Sequence, residues 1–323
     1  MGHKRSVPRI VAVAAGKGGV GKSTIAANLS LAIGRLGHRV SLVDADLGAA
    51  NLHTMLGVQR PSAGLADFFD HAMRLDEAAV RIAPTVSLIP GTSRPGAANL
   101  GAEDRARLLR AIARLDTDCV VIDVGAGASF NVVDLVAVAD IKLFVITRQL
   151  PAIHNAYALM KACVHRVIRR LAQDEIGQAL VDAALGQESK ARSVAQLVEV
   201  LRSIDGKLGT RVGDELARFG VGIIGNQLAG AEDFGVLQRV SAMLFDQLAV
   251  RAPVMGALRF KPSMAGGLKA GSGTIVEHDD PAYSVFAALA ARVLELDLAA
   301  LRGQQRVMHE HTMPLWIQRD LAG

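Results

Sequence analysis

Short, nearly continuous apolar runs alternate along the chain with longer stretches whose apolar residues recur every three to four positions. The first run is Ile10-Val11-Ala12-Val13-Ala14, and the stretch Ile25 to Ile33 behind it has helical spacing. The same short kind of run returns at His38–Val43, Val86–Ile89, Cys119–Ile122, Ile141–Ile146, Val221–Ile224 and Pro253–Leu258. Between them, Glu103–Leu115 carries Leu108, Leu109, Ile112 and Leu115 on one side with arginines elsewhere. A long helix is expected from His154 past Arg169-Arg170, and a closing one over Ala282–Leu298. Residues 61–84 read as a loop and a short amphipathic helix. Residues 172–216 are helical in pattern throughout, with Leu180, Val181 and Leu185, then Leu197, Val198 and Leu201, then Leu216. About six buried strands alternating with helices predict an α/β fold, a doubly wound and mostly parallel sheet, with 172–216 as a helical insertion between two strands.

The chemistry sits where the first run ends. Gly16-Lys17-Gly18-Gly19-Val20-Gly21-Lys22-Ser23-Thr24 fits G-x-x-x-x-G-K-[ST] between a strand and a helix. Glycines let the backbone close on an anion, consecutive N–H groups point inward, and the helix start adds the positive end of its dipole. Residues Gly18 to Thr24 are therefore the expected phosphate cradle. Lys22 is expected at the β- and γ-phosphates and the Ser23 hydroxyl on Mg²⁺, which makes the sheet one of the P-loop NTPase type. Two further strands end in carboxylates. The second runs into Asp44-Ala45-Asp46-Leu47-Gly48, and Cys119-Val120-Val121-Ile122-Asp123 has the Walker B form, with Asp123 expected to hold Mg²⁺.

Lys17, a second lysine inside the loop, is not needed to cradle a phosphate. With it, the sequence 17–24 resembles the deviant phosphate loop of the MinD/ParA family of dimerising ATPases. Asp44 to Leu52 resembles switch I of the MinD branch, above all its FlhG-like members, and Val124-Gly125-Ala126-Gly127 followed by Ser129-Phe130-Asn131 continues the likeness. The resemblance covers most of residues 9–298. It implies an ATPase (ATP and water to ADP and phosphate) that binds ATP·Mg²⁺ and dimerises with the nucleotides sandwiched between two copies. In that scheme Lys17 reaches the other copy's phosphates, Asp46 positions the attacking water and Asp44 supports the metal with Ser23 and Asp123. The Gly125 amide senses the γ-phosphate and Asn226 contacts adenine. Slow hydrolysis and a role as spatial or number regulator of flagellar or other polar machinery follow from the same likeness, as do an activator or cargo protein as partner and a cytoplasmic location, peripheral at the inner face of the cell membrane. Two departures stand out. Arg148-Gln149 replaces a Pro-Glu pair that relatives carry near the dimer interface, and Phe260-Lys261-Pro262 replaces an aspartate-containing loop.

Composition narrows the alternatives. The chain has 323 residues, 50% hydrophobic but only 4% aromatic, so the core rests on Ala, Val, Leu and Ile. No apolar run has the length of a bilayer span, and no secretory leader is visible; Met1 to Ser6 reads as a short basic leader. The formal net charge of +5 and pI near 9.5 favour anionic partners: nucleotide, acidic lipid or DNA. A ParA-type partition ATPase binding non-specific DNA is the first rival reading, set back because partition proteins carry Asp-Pro-Gln where this chain has Asp44-Ala45-Asp46. An iron–sulfur carrier needs paired cysteines, and Cys119 and Cys163 show no metal spacing. The two departures keep open a module that senses ATP and scarcely hydrolyses it. The domain is expected over residues 1–301. The tail 302–323, with Trp316 between basic residues and interrupted by Pro314, is a candidate for contact with an anionic membrane surface.

Overall fold

The computed structural model describes residues 7–71, 73–94, 99–172, 174–185, 193–259 and 281–295. The basic leader, the Phe260-Lys261-Pro262 stretch and the tail from Arg302 lie outside the described residues.

One eight-stranded sheet forms the centre, in the order β3-β4-β2-β5-β1-β6-β7-β8. The strands are β1 (Arg9–Ala15), β2 (Val40–Ala45), β3 (Val80–Ala83), β4 (Val86–Ile89), β5 (Cys119–Ala126), β6 (Ile141–Ile146), β7 (Val221–Leu228) and β8 (Val254–Arg259). All neighbours pair parallel except β3, which runs antiparallel to β4 at one edge. Strand β1 lies between β5 and β6, with Val13 beside Asp123 on one side and Leu143 on the other.

Both faces of the sheet are covered, which explains the unbroken apolar runs. Side chains alternate between two cores. Val11, Val13 and Ala15 pack with α1 (Lys22–Arg35) and the helix Pro281–Glu295, while Ile10, Ala12 and Ala14 join the core on the opposite face. That second face is covered by α4 (Ala102–Ile112), α5 (Phe130–Val138), α6 (Leu150–Leu171) and α10 (Ala231–Leu248). Short helices α2 (Leu52–Met55) and α3 (Leu65–Phe69) follow β2. The expected helical insertion consists of α7 (Glu175–Leu185), α8 (Val194–Ile204) and α9 (Gly206–Ala217). Their residues Val181, Leu197, Leu201, Val212 and Leu216 are buried in the same core as α6, so these helices extend a packing layer.

Two elements differ from the sequence reading. Residues 80–83, expected within a loop and helix region, form β3. This strand is only half-buried and has one neighbour, so it lacks the apolar run that marks the interior strands. Helix α6 begins at Leu150, four residues ahead of the expected start, with Pro151 in its first turn. Proline belongs there, because an N–H in the first turn has no partner within the helix.

Candidate nucleotide site

Parallel order and register bring the candidate residues to one edge. β1, β2 and β5 all end at the same side, and Asp44 and Asp123 are direct neighbours across the β2–β5 ladder. Both carboxylates occupy the positions along their strands that face α1, the face of Val121 and Leu42. Helix α1 starts at Lys22, so Lys22 and Ser23 stand over that pair.

The loop itself turns on Gly19 and Gly21, with φ of 77° and 91°, in the left-handed region that glycine enters without strain. Gly16 is glycine for a different reason: a Cβ there would lie 2.1 Å from the backbone of Asn155 in α6. Lys17, Gly18 and Gly19 are exposed, while Val20 and Lys22 are buried. The two lysines of the loop therefore face different surroundings, Lys17 outward and Lys22 inward.

Asp123 is completely buried, and neither of its carboxylate oxygens has a hydrogen-bond partner. Burial raises its pKa to about 7; Lys22 and the nearby Ser23 hydroxyl oppose the rise, and the charges of Asp44 and Asp46 add to it. Asp44 is equally buried but accepts backbone N–H groups from Leu52 at 3.0 Å and Asp46 at 3.4 Å. Burial still raises it to about 6. Lys22 Nζ lies 3.9 Å from Asp46 Oδ2, and Asp46 is 24% exposed. Gly125 closes the group: a Cβ on it would stand 3.2 Å from Asp46 Oδ1. Among the described residues no three His, Cys, Asp or Glu side chains are grouped to hold a metal alone. The orphaned oxygens of Asp123 next to a serine hydroxyl suit Mg²⁺, which takes one or two protein oxygens and completes its shell from water and substrate phosphates.

Asn226, expected at adenine, reaches the loop: its Nδ2 donates to the Val20 carbonyl at 2.8 Å. The next residue, Gln227, donates to the Gly19 carbonyl at 3.3 Å. Sequence reasoning missed Gln227, and also Thr147, whose buried hydroxyl has no partner. Thr147, Arg148, Gln149, Gln227, Leu228, Ala229 and Arg259 line a cavity of about 440 Å³ at the ends of β6, β7 and β8. Only a polar Asn-Gln pair closing an apolar strand hinted at it. Cys119 and Cys163 are free thiols buried on opposite faces of the sheet, so they do not converge on a common metal.

A glycine loop between β1 and α1, over two buried carboxylates at the carboxyl edge of a parallel sheet, defines a P-loop nucleotide-binding domain. Comparison with known proteins narrows the class. A family model described as ParA, NUBPL iron-transfer P-loop NTPase, matches residues 6–88. A MinD septum site-determining homologue of Guillardia theta is 31% identical over 201 residues, 60% of this chain and 71% of that protein. The chain belongs to the ParA/MinD family of P-loop NTPases. The antiactivator FleN of Pseudomonas aeruginosa is 36% identical over 156 residues, 47% of this chain and 55% of FleN. The chain spans about half the length of the first curated relatives it matches. MinD of Pyrococcus horikoshii, solved with Mg-ADP, shares the fold with a TM-score of 0.61 at 19% identity, over 90% of this chain and 97% of that one.

Proposed function

We propose that this chain is a MinD/FlhG-like regulatory ATPase: it binds ATP·Mg²⁺, pairs with a second copy across the nucleotides, and separates on slow hydrolysis. The observation that carries the reading is Asp123, buried without a partner beneath the loop of Lys22 and Ser23. A buried carboxylate left unpaired is costly, and its retention at this spot is explained by a cation that arrives with the nucleotide.

Each residue then has a task. The amides of residues 18–24 cradle the phosphates, and Lys22 leaves Asp46 to meet the β- and γ-phosphates. Ser23 and Asp123 would hold Mg²⁺, with Asp44 behind them, anchored on two backbone amides. Bound Mg²⁺ supplies charge neutralisation on the phosphates. Asp46 orients the attacking water beside the Gly125 amide. The base would enter the cavity bounded by Thr147 and Gln227. Lys17 is exposed on the loop and would reach a second copy's phosphates. Phe130 and Leu150, 74% and 77% exposed at the starts of α5 and α6, would offer apolar contacts to that copy. FleN is named an antiactivator and MinD a septum site-determining protein. By analogy, this chain regulates the placement or number of a polar structure such as a flagellum.

The test is light scattering on a size-exclusion column with and without ATP·Mg²⁺. Wild type is expected to dimerise with ATP. Lys17→Ala should bind ATP and remain monomeric, while Asp46→Ala should bind ATP and stay dimeric, because release is blocked. A wild-type monomer in ATP, or a Lys17→Ala dimer, overturns the sandwich. An ATP-dependent shift of non-specific DNA that weakens steeply with salt would favour the partition reading instead.

A further inference from the structure

We infer that Asn226 and Gln227 form a two-point clamp that holds the phosphate loop in its receiving shape, so that Asn226 acts on the loop itself, whatever it also gives the base. The inference rests on the reading of residues 16–24 as a phosphate loop.

Successive side chains of a regular strand point to opposite faces, so two neighbours do not normally reach the same loop. Here they do. The β7–β8 register shifts between Gly225 and Leu228, and Gln227 sits in the left-handed region with φ of 58°. A non-glycine residue in that conformation is strained, and such residues cluster at functional positions. The irregularity turns both side-chain amides toward residues 19 and 20. Asn226 Nδ2 takes the Val20 carbonyl at 2.8 Å and Gln227 Nε2 the Gly19 carbonyl at 3.3 Å. Asn226 is only 9% exposed, so its bond is shielded from water.

The consequence lies in the loop. A peptide unit is rigid, so fixing a carbonyl outward fixes the following N–H inward. Holding the carbonyls of Gly19 and Val20 sets the N–H groups of Val20 and Gly21, two donors of the expected cradle. Gly21 shows how closely the clamp is fitted: a Cβ there would come within 2.3 Å of Asn226 Nδ2. One N–H of Asn226 is engaged at Val20 before any ligand arrives, and a side-chain amide has a second N–H and an acceptor oxygen with which to meet a base.

A ligand without a base separates the two roles. Binding of MgATP and of magnesium tripolyphosphate is measured by calorimetry for wild type, Asn226→Ala and Gln227→Ala. The clamp predicts that Asn226→Ala weakens tripolyphosphate about 5–10-fold and MgATP at least as much, and that Gln227→Ala weakens both by a smaller factor. Hydrogen exchange supplies a readout that a loss of global stability would not move selectively. In nucleotide-free Asn226→Ala, amides of residues 16–24 should exchange faster while those of β2 and β5 keep wild-type protection. Loss of ATP affinity with tripolyphosphate binding unchanged makes Asn226 a base contact and overturns the clamp, as does unchanged affinity for both. If wild type binds neither ligand, the phosphate-loop reading fails and the clamp with it.

Discussion

Three charged side chains are buried in the described strands, Asp44, Asp123 and Lys142, and the last two are treated in opposite ways. Lys142, near the amino end of β6, is 4% exposed. It donates to the Ala139 carbonyl at 2.7 Å, at the C-terminal end of α5, and its ammonium lies 4.4 Å from the Phe219 ring centre. A cation at a helix C-terminus and over an aromatic face is compensated from within. Asp123, at the carboxyl end of β5, has neither hydrogen bond. Both groups are shifted by burial toward their neutral forms, Lys142 down to about 8 and Asp123 up to about 7. The difference is what burial is for. At the amino end it locks α5 and the segment after α9 to the sheet; at the carboxyl end it leaves a charge waiting for a counterion.

The largest effect that would break this contrast is on binding. Lys22→Ala removes the cation beneath the loop and should lower ATP affinity by on the order of 100-fold or more, read with a fluorescent ATP analogue. Lys142→Ala, at the other end, should leave that affinity within about 2-fold of wild type. Equal losses would mean that the two ends are not separate.

Stability should show opposite signs. Lys142→Ala strands the Ala139 carbonyl and opens a void, costing about 1–3 kcal/mol in denaturant unfolding. Asp123→Asn replaces a carboxylate whose charged form is disfavoured despite Lys22. Without nucleotide, and above pH 7, it should stabilise the fold by about 1 kcal/mol while removing the Mg²⁺ dependence of ATP binding. Destabilisation by Asp123→Asn would show that Asp123 is structural after all.

The smallest effect is a pH profile of the nucleotide-free protein. Asp123 and Asp44 titrate higher folded than their ordinary value of 3.8, so they bind protons more tightly in the native state. Their stabilising contribution is full below pH 3.8 and is lost as pH rises through about 6 and 7. Lys142 titrates lower folded than its ordinary 10.5; its contribution is full above that pH and lost as pH falls through about 8. Melting temperature should therefore carry a falling component between pH 4 and 7 that Asp123→Asn flattens, and a rising one from 8 to 10.5 that Lys142→Ala removes.

The interior strands were legible because both faces of the sheet are covered, so each reads as an apolar run, and β1, β2, β4 and β5 run into glycine or carboxylate. Edge strand β3 was not: Val80-Arg81-Ile82-Ala83 is half-buried and held by β4 alone. At the site, the loop and the carboxylates Asp44 and Asp123 were visible as spacing. What Asn226 and Gln227 touch was not, because only the break in the β7–β8 register turns neighbouring side chains toward the same loop. Thr147 gave no signal, since a threonine closing a strand is ordinary and its lack of a partner is a property of three dimensions.

The place of β1 has a consequence for synthesis. Its neighbours β5 and β6 pair with it at Arg9–Cys119 and Val11–Ile141, roughly 110 and 130 residues later in the chain. At ribosomal speeds of about 5–20 residues per second, β1 emerges on the order of 10 s before either partner exists. For that interval Ile10 to Ala15 is an unpaired apolar segment, open to wrong partners and to chaperones. The strand that carries the phosphate loop is thus inserted between neighbours made later, and the cradle behind it is held on both sides only after they have emerged.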